Sequence, residues 1–415
     1  MTTTGDTDRR AAPAGAALNL AIVGAGPVGL SLALHAARTL PRAAVTLFDA
    51  RSSEFDIARD PRTLALSLAS VQLLERLNAF DAARAQPILE VHVSQQQPSL
   101  IGPRGAEPEL RIRAAEEGVA LLGAVLSYGQ IVAPLQAAWL AACEREPVRL
   151  RSRFGTPVAG LKTLAGGQGV EVDAGIAEAF DLAVVAEGGV FADQARKALT
   201  HDYRQTAWVG QVTIEGGTPG TAYERFTRQG PVALLPLKSE PGATTQRAAL
   251  VWCVPTGDDP VAPLDDAQRL AVLQNIFPPA VGRLAALSPL KHFALGLNAE
   301  RTLVAGRSVR IGNAAQTLHP VAGQGLNLGL RDAFELVRGL GASGAAQDID
   351  AALRRLEWSR APDRWGMIAA TDFLARSFTW DLPGLAAARG LGLAALQAVA
   401  PLKSALARQM MYGSR

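Results

Sequence analysis

Residues 18–29, which read LNLAIVGAGPVG, decide the fold of this chain. The first six are an apolar run of strand length, and they lead directly into the pattern G-x-G-x-x-G at Gly24, Gly26 and Gly29. Pro27 lies inside this pattern, and an alanine- and leucine-rich helical segment follows it. A strand, a glycine turn and a helix in this order predict a dinucleotide-binding unit, in which a pyrophosphate rests on the helix N-terminus.

The next predicted strand places an acidic side chain beside this unit. Val45–Phe48 ends at Asp49, which lies twenty residues after Gly29, the spacing at which an acid binds a ribose 2′-hydroxyl. A tight turn without a ligand would explain the glycines but not the aligned acid. Another copy of the glycine pattern, at Gly339–Gly344, follows a helix and precedes no acidic strand end, so we interpret it as a loop between helices.

A second glycine-rich block spans residues 311–332 and includes Gly312, Gly323 and Gly325. From Leu326 onward leucines recur at helical spacing, so the glycine turn opens a helix whose unpaired N–H groups form an anion site. A buried, tightly packed loop is the alternative. Because the sequence holds one complete dinucleotide unit, the ligand is either NAD(P) with a substrate, or a resident FAD that a visiting cofactor reduces.

Composition narrows the class of protein. With 48% apolar residues among 415, the chain can bury a large core and is expected to form one large domain or two intertwined ones. A net charge of +3 without a Lys/Arg cluster argues against nucleic acid. Cys143 and Cys253 form neither a disulfide framework nor a metal pair, and five histidines without paired spacing predict no metal. No apolar run reaches membrane-spanning length, so a cytoplasmic protein is expected, with residues 1–17 as a loose tail.

The middle of the chain predicts a second layer. Between residues 109 and 255 short strands are interrupted by glycines, which is typical of an antiparallel sheet. Phe180–Ala186 is instead a continuous apolar run, which predicts a buried parallel strand ending at Glu187 and Gly188. The nucleotide unit is therefore interleaved with an antiparallel sheet.

Two arginines near the first unit, Arg59 and Arg62, are candidate binding residues. Ala58–Ser67 is expected to begin the next helix, and a guanidinium near a helix start can hold a phosphate or a carboxylate. A solvated surface arginine is the alternative reading of each residue.

Three segments, together with the Gly24–Gly29 unit, resemble a known family: Asp60–Ser67 (DPRTLALS), Gly312–Pro320 (GNAAQTLHP) and Gly323–Asp332 (GQGLNLGLRD). They are similar to flavoprotein aromatic hydroxylases of the para-hydroxybenzoate hydroxylase fold, and more narrowly to the ubiquinone-biosynthesis hydroxylases of the UbiH/UbiF/VisC type, with 2-polyprenyl-6-methoxyphenol hydroxylase nearest. The resemblance covers the chain after the tail. It implies an α/β fold with a Rossmann-like FAD-binding domain (18–85, 128–200 and 295–345), an interleaved antiparallel-sheet substrate domain (86–127 and 201–294) and a C-terminal helical region (346–415).

The resemblance also implies the residues that hold FAD. The implied cofactor-binding residues are Gly24, Gly26, Pro27, Gly29, Asp49, Arg62, Glu187, Gly188, Gly312, Asn313, Pro320, Gly323, Gln324, Gly325, Leu326 and Asn327. Two of them depart from the family pattern, since Asn313 replaces an aspartate and Glu187 replaces the acid of an Asp-Gly pair. The second departure affects a motif tied to both FAD and the reductant, and the choice between NADH and NADPH stays open.

The implied activity is FAD-dependent, NAD(P)H-driven ring hydroxylation of a polyprenylated phenol in ubiquinone biosynthesis, with O₂ as co-substrate and a flavin C4a-hydroperoxide as oxidant. His319 is the candidate catalytic side chain, because it could orient or deprotonate a phenol, although it could equally fix its own loop. The substrate is expected to be hydrophobic, since the sheet segments offer Val, Leu, Trp and Phe. Two alternatives remain: a flavin dehydrogenase or reductase acting on a lipid, and a non-catalytic FAD-binding accessory subunit of a quinone-biosynthesis complex.

The C-terminal segment predicts a contact outside the catalytic core. Residues 382–411 form a long helical pattern, and from Leu382 to the end the chain carries Arg389, Lys403, Arg408 and Arg415 but no acid. This pattern is typical of a helix on an anionic membrane surface or on a partner complex, and packing on the protein's own core is the alternative. A cytoplasmic protein, peripheral at the inner membrane, is therefore expected.

Overall fold

Two large β-sheets, one mainly parallel and one mainly antiparallel, form the frame of the molecule in a computed structural model of the chain. The structure describes residues 17–96, 107–188, 197–240, 242–319, 323–342, 348–377 and 385–413. In chain order, the strands are β1 (Leu18–Val23), β2 (Ala43–Asp49), β3 (Thr63–Ser67), β4 (Gln86–Ile88), β5 (Glu90–Gln95), β6 (Glu109–Arg113), β7 (Gly123–Ser127), β8 (Leu150–Phe154), β9 (Gly160–Thr163), β10 (Val170–Asp173), β11 (Ala177–Phe180), β12 (Leu182–Val185), β13 (Lys197–Glu215), β14 (Thr221–Phe226), β15 (Pro231–Leu237), β16 (Thr245–Pro255), β17 (Arg283–Leu287), β18 (Lys291–Glu300), β19 (Val304–Ala305), β20 (Ser308–Arg310) and β21 (Gln316–Thr317).

The helices lie mostly between and after these strands. They are α1 (Pro27–Thr39), α2 (Leu68–Arg76), α3 (Tyr128–Arg145), α4 (Asp266–Ile276), α5 (Gly325–Ala342), α6 (Ile349–Ser377), α7 (Leu385–Ala398) and α8 (Ala400–Tyr412). Short 3-10 turns occur at Ile57–Arg59, Pro279–Val281 and Gly312–Ala314.

The parallel sheet places the nucleotide unit. Its strand order is β19-β20-β12-β1-β2-β8, and β1 pairs in parallel with both β12 and β2. Helices α1, α3 and α5 cover one face and the β9–β11 hairpins cover the other, so every residue of β1 is buried. Because parallel strands end at the same edge, the residues that follow β1, β2 and β12 meet there. This arrangement gathers Gly24, Asp49 and Glu187 at one edge.

The antiparallel sheet forms the second layer, in the order β21-β18-β13-β16-β15-β14-β5-β6 with β17 beside β13. One of its faces packs against α4, where Trp208 and Trp252 contact Leu273 and Ile276. Alternation along the strands turns the smaller neighbouring side chains to the opposite face. That opposite face stays partly open, and it is described with the site.

Two local predictions are wrong. Ala58–Ser67 does not begin a helix, because Thr63–Ser67 is strand β3, which pairs with β7 far along the chain. Helix α2 begins only at Leu68, where the Ser67 hydroxyl accepts a hydrogen bond from the Ser70 N–H. Residues 339–342 of the predicted glycine loop belong to α5 instead, and residues 343 and 344 lie outside the described residues.

The C-terminal helical pattern is also broken where one helix was expected. Helices α7 and α8 meet at Val399 with a bend of 97°. Pro401 explains the break, since proline is tolerated in the first turn of α8 but cannot continue α7. The boundaries expected for the FAD-binding, substrate and C-terminal domains stay a prediction.

Candidate active site

The turn after β1 has no room for a side chain at two of its glycines. Gly24 has φ of +103°, in the region that glycine favours, and a Cβ there would lie 2.9 Å from the Cβ of Glu187. A Cβ on Gly29 would lie 1.9 Å from the carbonyl oxygen of Gly24. These two glycines are therefore required by close approach of the backbone, as the sequence pattern predicts.

The start of α1 is left without a side-chain cap. Gly26 is the N-cap residue, Pro27 begins the helix, and no acidic residue lies in the first turn. The first N–H groups of a helix lack intrahelical acceptors, and the helix dipole makes this end positive. The beginning of α1 is thus suited to an anionic group such as a pyrophosphate.

Asp49 holds the glycine turn in place from the end of β2. Its Oδ2 accepts a hydrogen bond of 2.5 Å from the Ala25 N–H, and its Oδ1 accepts one of 2.8 Å from the Arg51 N–H. The Arg51 guanidinium reaches back and donates to the Ala25 carbonyl at 2.7 Å. Sequence reasoning missed Arg51, although a basic residue two positions after the acid was a visible signal. The structure places Asp49 at the nucleotide edge, and its contact with a ribose stays a prediction.

Arg62 lies near the same glycine turn, and Tyr128, which the sequence motifs do not indicate, lies between them. Its guanidinium carbon is 4.1 Å from the centre of the Tyr128 ring, and its nitrogens bind the Asp60 carboxylate. This contact with Arg62 lowers the pKa of Asp60. The hydroxyl oxygen of Tyr128 is 3.3 Å from where a Cβ on Gly26 would lie, so Tyr128 joins Arg62 to the glycine turn.

The two departures from the family pattern lie on neighbouring segments, because Asn313 contacts Gly188, the residue after Glu187. Glu187 and Gly188 follow β12, and a Cβ on Gly188 would be 3.2 Å from the Cβ of Asn313. Glu187 is half-buried beside Gly24, and burial, followed by the nearby Asp49 carboxylate, raises its pKa. The glutamate and the asparagine that depart from the family pattern therefore lie one residue apart through Gly188, at the edge where β1, β2 and β12 end.

Helix α5 brings the second glycine block to this edge. A Cβ on Gly329 would lie 2.7 Å from the Cα of Gly312 and 2.9 Å from Cγ2 of Val28, so the helix packs directly on the Gly312 turn. Gly325 is the first residue of the helix, and nothing lies within 4 Å of where its Cβ would be. Leu326 packs against the main core. Pro320 lies outside the described residues.

The side chain of Asn327 is used within the protein. Its Oδ1 accepts from the Ser67 N–H and from the Ser70 hydroxyl, both at 2.8 Å. Its amide nitrogen donates to the carbonyls of Ala65 and Gly323 at 3.1 and 3.3 Å. Asn327 therefore fixes the start of α5, with Gly323, to β3 and α2, and its influence on a cofactor passes through the position of that helix start.

His319 is buried two residues after the end of β21. Its Nε2–H donates to Oε1 of Gln205 at 2.9 Å, and its ring meets the Tyr203 ring edge-on with centroids 5.1 Å apart. Burial lowers the pKa of His319 to about 4, so the imidazole is neutral near pH 7. A neutral, hydrogen-bonded imidazole of low basicity suits positioning better than deprotonation of a phenol.

Comparison with known proteins places this site in a family. A family model described as FAD binding domain matches residues 133–371. The ubiquinone hydroxylase UbiL of Rhodospirillum rubrum is 32% identical over 404 residues, which cover 94% of this chain and 88% of that protein. The chain belongs to the ubiquinone-biosynthesis FAD-dependent hydroxylases. A second relative of this hydroxylase, 3-demethoxyubiquinol 3-hydroxylase of Escherichia coli, is 30% identical, with 92% of this chain and 96% of that protein covered.

Solved structures share the fold of the hydroxylase. Pseudomonas aeruginosa PqsL in complex with 2-aminobenzoylacetate has a TM-score of 0.69 at 17% identity, with 90% of this chain and 99% of that chain covered. Klebsiella pneumoniae HpxO with FAD and uric acid has a TM-score of 0.66 at 19% identity, covering 94% and 97%. The predicted fold, the family, the FAD cofactor and the monooxygenase class are confirmed. The finer likeness to 2-polyprenyl-6-methoxyphenol hydroxylase stays a prediction.

The residues at the nucleotide edge fit FAD. The first turns of α1 and α5 contain no acid, and α1 has no side-chain cap, so two positive helix ends are available to the cofactor. Among the described residues, Oε1 of Gln324 is buried without a hydrogen-bond partner beside the start of α5. The α1 end would hold the pyrophosphate and the α5 end would hold the flavin. Direct contact of each predicted residue with FAD stays a prediction.

The open face of the antiparallel sheet lies next to the second glycine-rich block, because Gln205 of β13 binds His319. Register places its side chains in three adjoining rows, and the residues of these rows are Phe293, Ala207 and Cys253; Lys291, Val209, Val251, Ala233 and Glu224; Gln211, Ala249 and Leu235. Gln205, which binds His319, precedes Ala207 by two residues and therefore points to the same face. The expected tryptophans are not on this face, because Trp208 and Trp252 pack against α4.

Proposed function

We propose that this hydroxylase inserts one atom of O₂ into the ring of a polyprenylated phenol, with NADPH or NADH as reductant. The open face of the antiparallel sheet is the observation that carries the proposal. The names of the two full-length relatives place them in reactions on ubiquinone and demethoxyubiquinol, which are hydrophobic ring compounds. A phenol of similar chemistry is the substrate that this face would accept.

The composition of the open face supports an uncharged, hydrophobic substrate. Small apolar side chains occupy its centre, and Val209, Val251, Ala233 and Leu235 are only partly buried. Among the described residues of its three rows, the charged side chains are Lys291 at one end of the middle row and Glu224 at the other. A carboxylated phenol would require a buried cation near the middle of the face. An isoprenyl tail would instead cover apolar side chains that water now reaches.

The chain's own residues would bind and orient the substrate. Bound and reduced FAD supplies the activation of O₂. His319 is held by Gln205 at the edge of the open face, so its neutral imidazole would shape the site without taking a proton. The apolar rows exclude water from the ring that is hydroxylated, which prevents loss of the oxidant to solvent.

Dependence of turnover on the prenyl tail tests the proposal. FAD-loaded enzyme is supplied with NADPH or NADH, O₂ and either a phenol or its isoprenylated form, and hydroxylated product is measured by mass spectrometry. The first isoprenyl unit should raise kcat/KM about tenfold or more, because each buried methylene contributes ~0.8 kcal/mol. Equal kcat/KM with and without a tail, or preference for a carboxylated phenol, would sink the proposal.

Matched variants locate the effect on the sheet. Val251→Glu places a charge in the middle of the open face, whereas Ile176→Glu places the same charge on an exposed hairpin turn. The first variant should abolish the tail preference and the second should leave it intact.

A substrate of this kind partitions into lipid, and we also propose that the enzyme acts from the cytoplasm at the inner membrane. A quinone-biosynthesis complex as its partner stays a prediction.

A further inference from the structure

The outward side of the last two helices is apolar and exposed. Leu391, Val399 and Leu402 are 36%, 48% and 49% exposed. They recur with small residues at spacings of three and four, so they line one side of each helix. We name this side the elbow surface, and its residues are Ala388, Leu391, Gly392, Ala395, Ala398, Val399, Leu402 and Ala405.

The inward side of the same helices is packed. Leu393 and Leu396 of α7 and Leu406 of α8 contribute to an apolar cluster that also contains Leu235 and Leu237 of β15. Leu235 belongs to the open face of the antiparallel sheet. One apolar cluster therefore extends from beneath the elbow surface to the proposed substrate site. The inward side of these helices therefore packs on the protein's own core, which was one of the two expectations for the C-terminal segment. The elbow surface is the side that this packing leaves exposed.

Charge around the elbow surface favours an anionic environment. Residues 385–413 contain no Asp or Glu, and no charged residue lies between Gly390 and Leu402. Half-buried Arg389 precedes this uncharged stretch and exposed Arg408 follows it, whereas Lys403 is paired with Glu116. Cationic side chains at the ends of an apolar stretch can reach lipid headgroups while the apolar residues enter the interface.

The geometry fits a helix pair that lies on a bilayer. Among the described residues, no single helix is long and apolar enough to cross a membrane, although α7 and α8 together reach that length and composition across their bend. Their inward side makes polar contacts with the protein that a spanning segment would have to break. Lys403 binds Glu116 at 2.8 Å, the Ser404 hydroxyl donates to Glu117 at 2.9 Å, and the Arg111 N–H donates to the Gln397 side chain at 2.9 Å.

We propose that the elbow surface docks this hydroxylase on an anionic lipid surface, with its apolar side chains in the interface and the flanking Arg389 and Arg408 at the headgroups. Docking there would bring the membrane against the apolar cluster that continues into the open sheet face. A prenylated phenol could then enter without crossing water, a consequence that rests on the proposed function. The docking itself does not depend on it.

Vesicle floatation with matched variants tests the docking. Full-length FAD-loaded enzyme is mixed with vesicles of phosphatidylcholine, or of phosphatidylcholine with phosphatidylglycerol, and centrifuged through a gradient. Wild type should float, and more strongly with phosphatidylglycerol. Each of Leu391→Glu and Leu402→Glu should lower the partition coefficient about tenfold or more, since a leucine leaves the interface and a charge replaces it. Val148→Glu and Ile176→Glu are controls, because these apolar residues are 66% and 77% exposed elsewhere.

Each contrary outcome has a distinct meaning. Wild type that remains with the unbound protein in both vesicle preparations would overturn the proposal, as would controls that lose as much floatation as the elbow variants. Analytical ultracentrifugation tests whether a second copy of the chain covers the elbow surface instead. If wild type is a dimer that does not float with vesicles, and Leu391→Glu converts it to a monomer, the surface is a dimer interface and the proposal is wrong. Turnover of a phenol in detergent is measured on the same samples, so loss of docking and loss of hydroxylation are distinguished.

Discussion

Replacing Gly329 by alanine should damage the flavin site from inside a helix. Alanine is normally favoured over glycine in a helix interior by about 1 kcal/mol. At this position, however, the new Cβ would lie 2.7 Å from the Cα of Gly312 and 2.9 Å from Cγ2 of Val28. The first of these atoms is backbone and cannot rotate away, so α5 or the Gly312 turn has to move.

The magnitude follows from two opposing effects. Overpacking of this kind costs about 1–3 kcal/mol, and contact with a backbone atom points to the upper end. After subtraction of the helix-propensity gain of about 1 kcal/mol, Gly329→Ala should lower the free energy of unfolding by about 2 kcal/mol. Because the displaced elements carry the predicted FAD-binding residues Gly312 and Gly325, FAD affinity should fall as well.

Gly366→Ala is the matched control. Gly366 is an exposed helical glycine in α6, and nothing lies within 4 Å of where its Cβ would be, so this variant should gain up to about 1 kcal/mol. Unfolding by urea is measured on the FAD-free proteins, and FAD affinity by quenching of flavin fluorescence. If Gly329→Ala is as stable as Gly366→Ala and binds FAD like wild type, then close approach is not the reason for glycine at this position.

Three further predictions concern the residues that hold the site. Asp49→Ala should weaken FAD binding about tenfold to a hundredfold, since a charged acceptor of the Ala25 N–H is lost, whereas Asp49→Asn should weaken it less; equal losses in a fluorescence titration would contradict this. Asn327→Ala should lower the free energy of unfolding of the FAD-free protein by about 2–4 kcal/mol, because four hydrogen bonds end on this side chain, and a loss below about 1 kcal/mol in urea would refute it. Burial holds the pKa of His319 at about 4, below its unfolded value of 6.5, so the unfolded chain takes up a proton first and stability falls as the pH drops from about 6.5 to 4. His319→Gln should flatten part of that fall in denaturation curves across this range, and an unchanged pH dependence would count against the assignment.

The elements that the sequence predicted well are local. A strand, a glycine turn, a helix and an acid follow one another within residues 18–49, so their spacing alone indicates the nucleotide unit. The alternation of β13, β15 and β16 was likewise readable from short segments. Tertiary partners were not readable in this way. Thr63–Ser67 became a strand because β7, some sixty residues later, pairs with it.

In the candidate site, too, local motifs predicted some residues, and tertiary contacts decided the others. Gly24 and Gly29 are required by contacts that the motif already encodes. Arg51 and Tyr128 act through side-chain contacts across the fold, and neither stands in a motif that gives its partner. The greasy substrate face was expected from composition, but only strand register decides that Trp208 faces away from it. The bend between α7 and α8 depends on Pro401, whose effect was visible in the sequence and was overlooked.

The most direct test of the central claim is the origin of the new hydroxyl oxygen. FAD-loaded enzyme is given NADPH or NADH and a short-chain prenylated phenol under heavy-isotope O₂, and the product is weighed by mass spectrometry. A ring-hydroxylating monooxygenase places one labelled oxygen in each product molecule, and only when the reductant is present. Flavin that NAD(P)H bleaches while the phenol gains no labelled oxygen would contradict the account and favour a dehydrogenase or reductase.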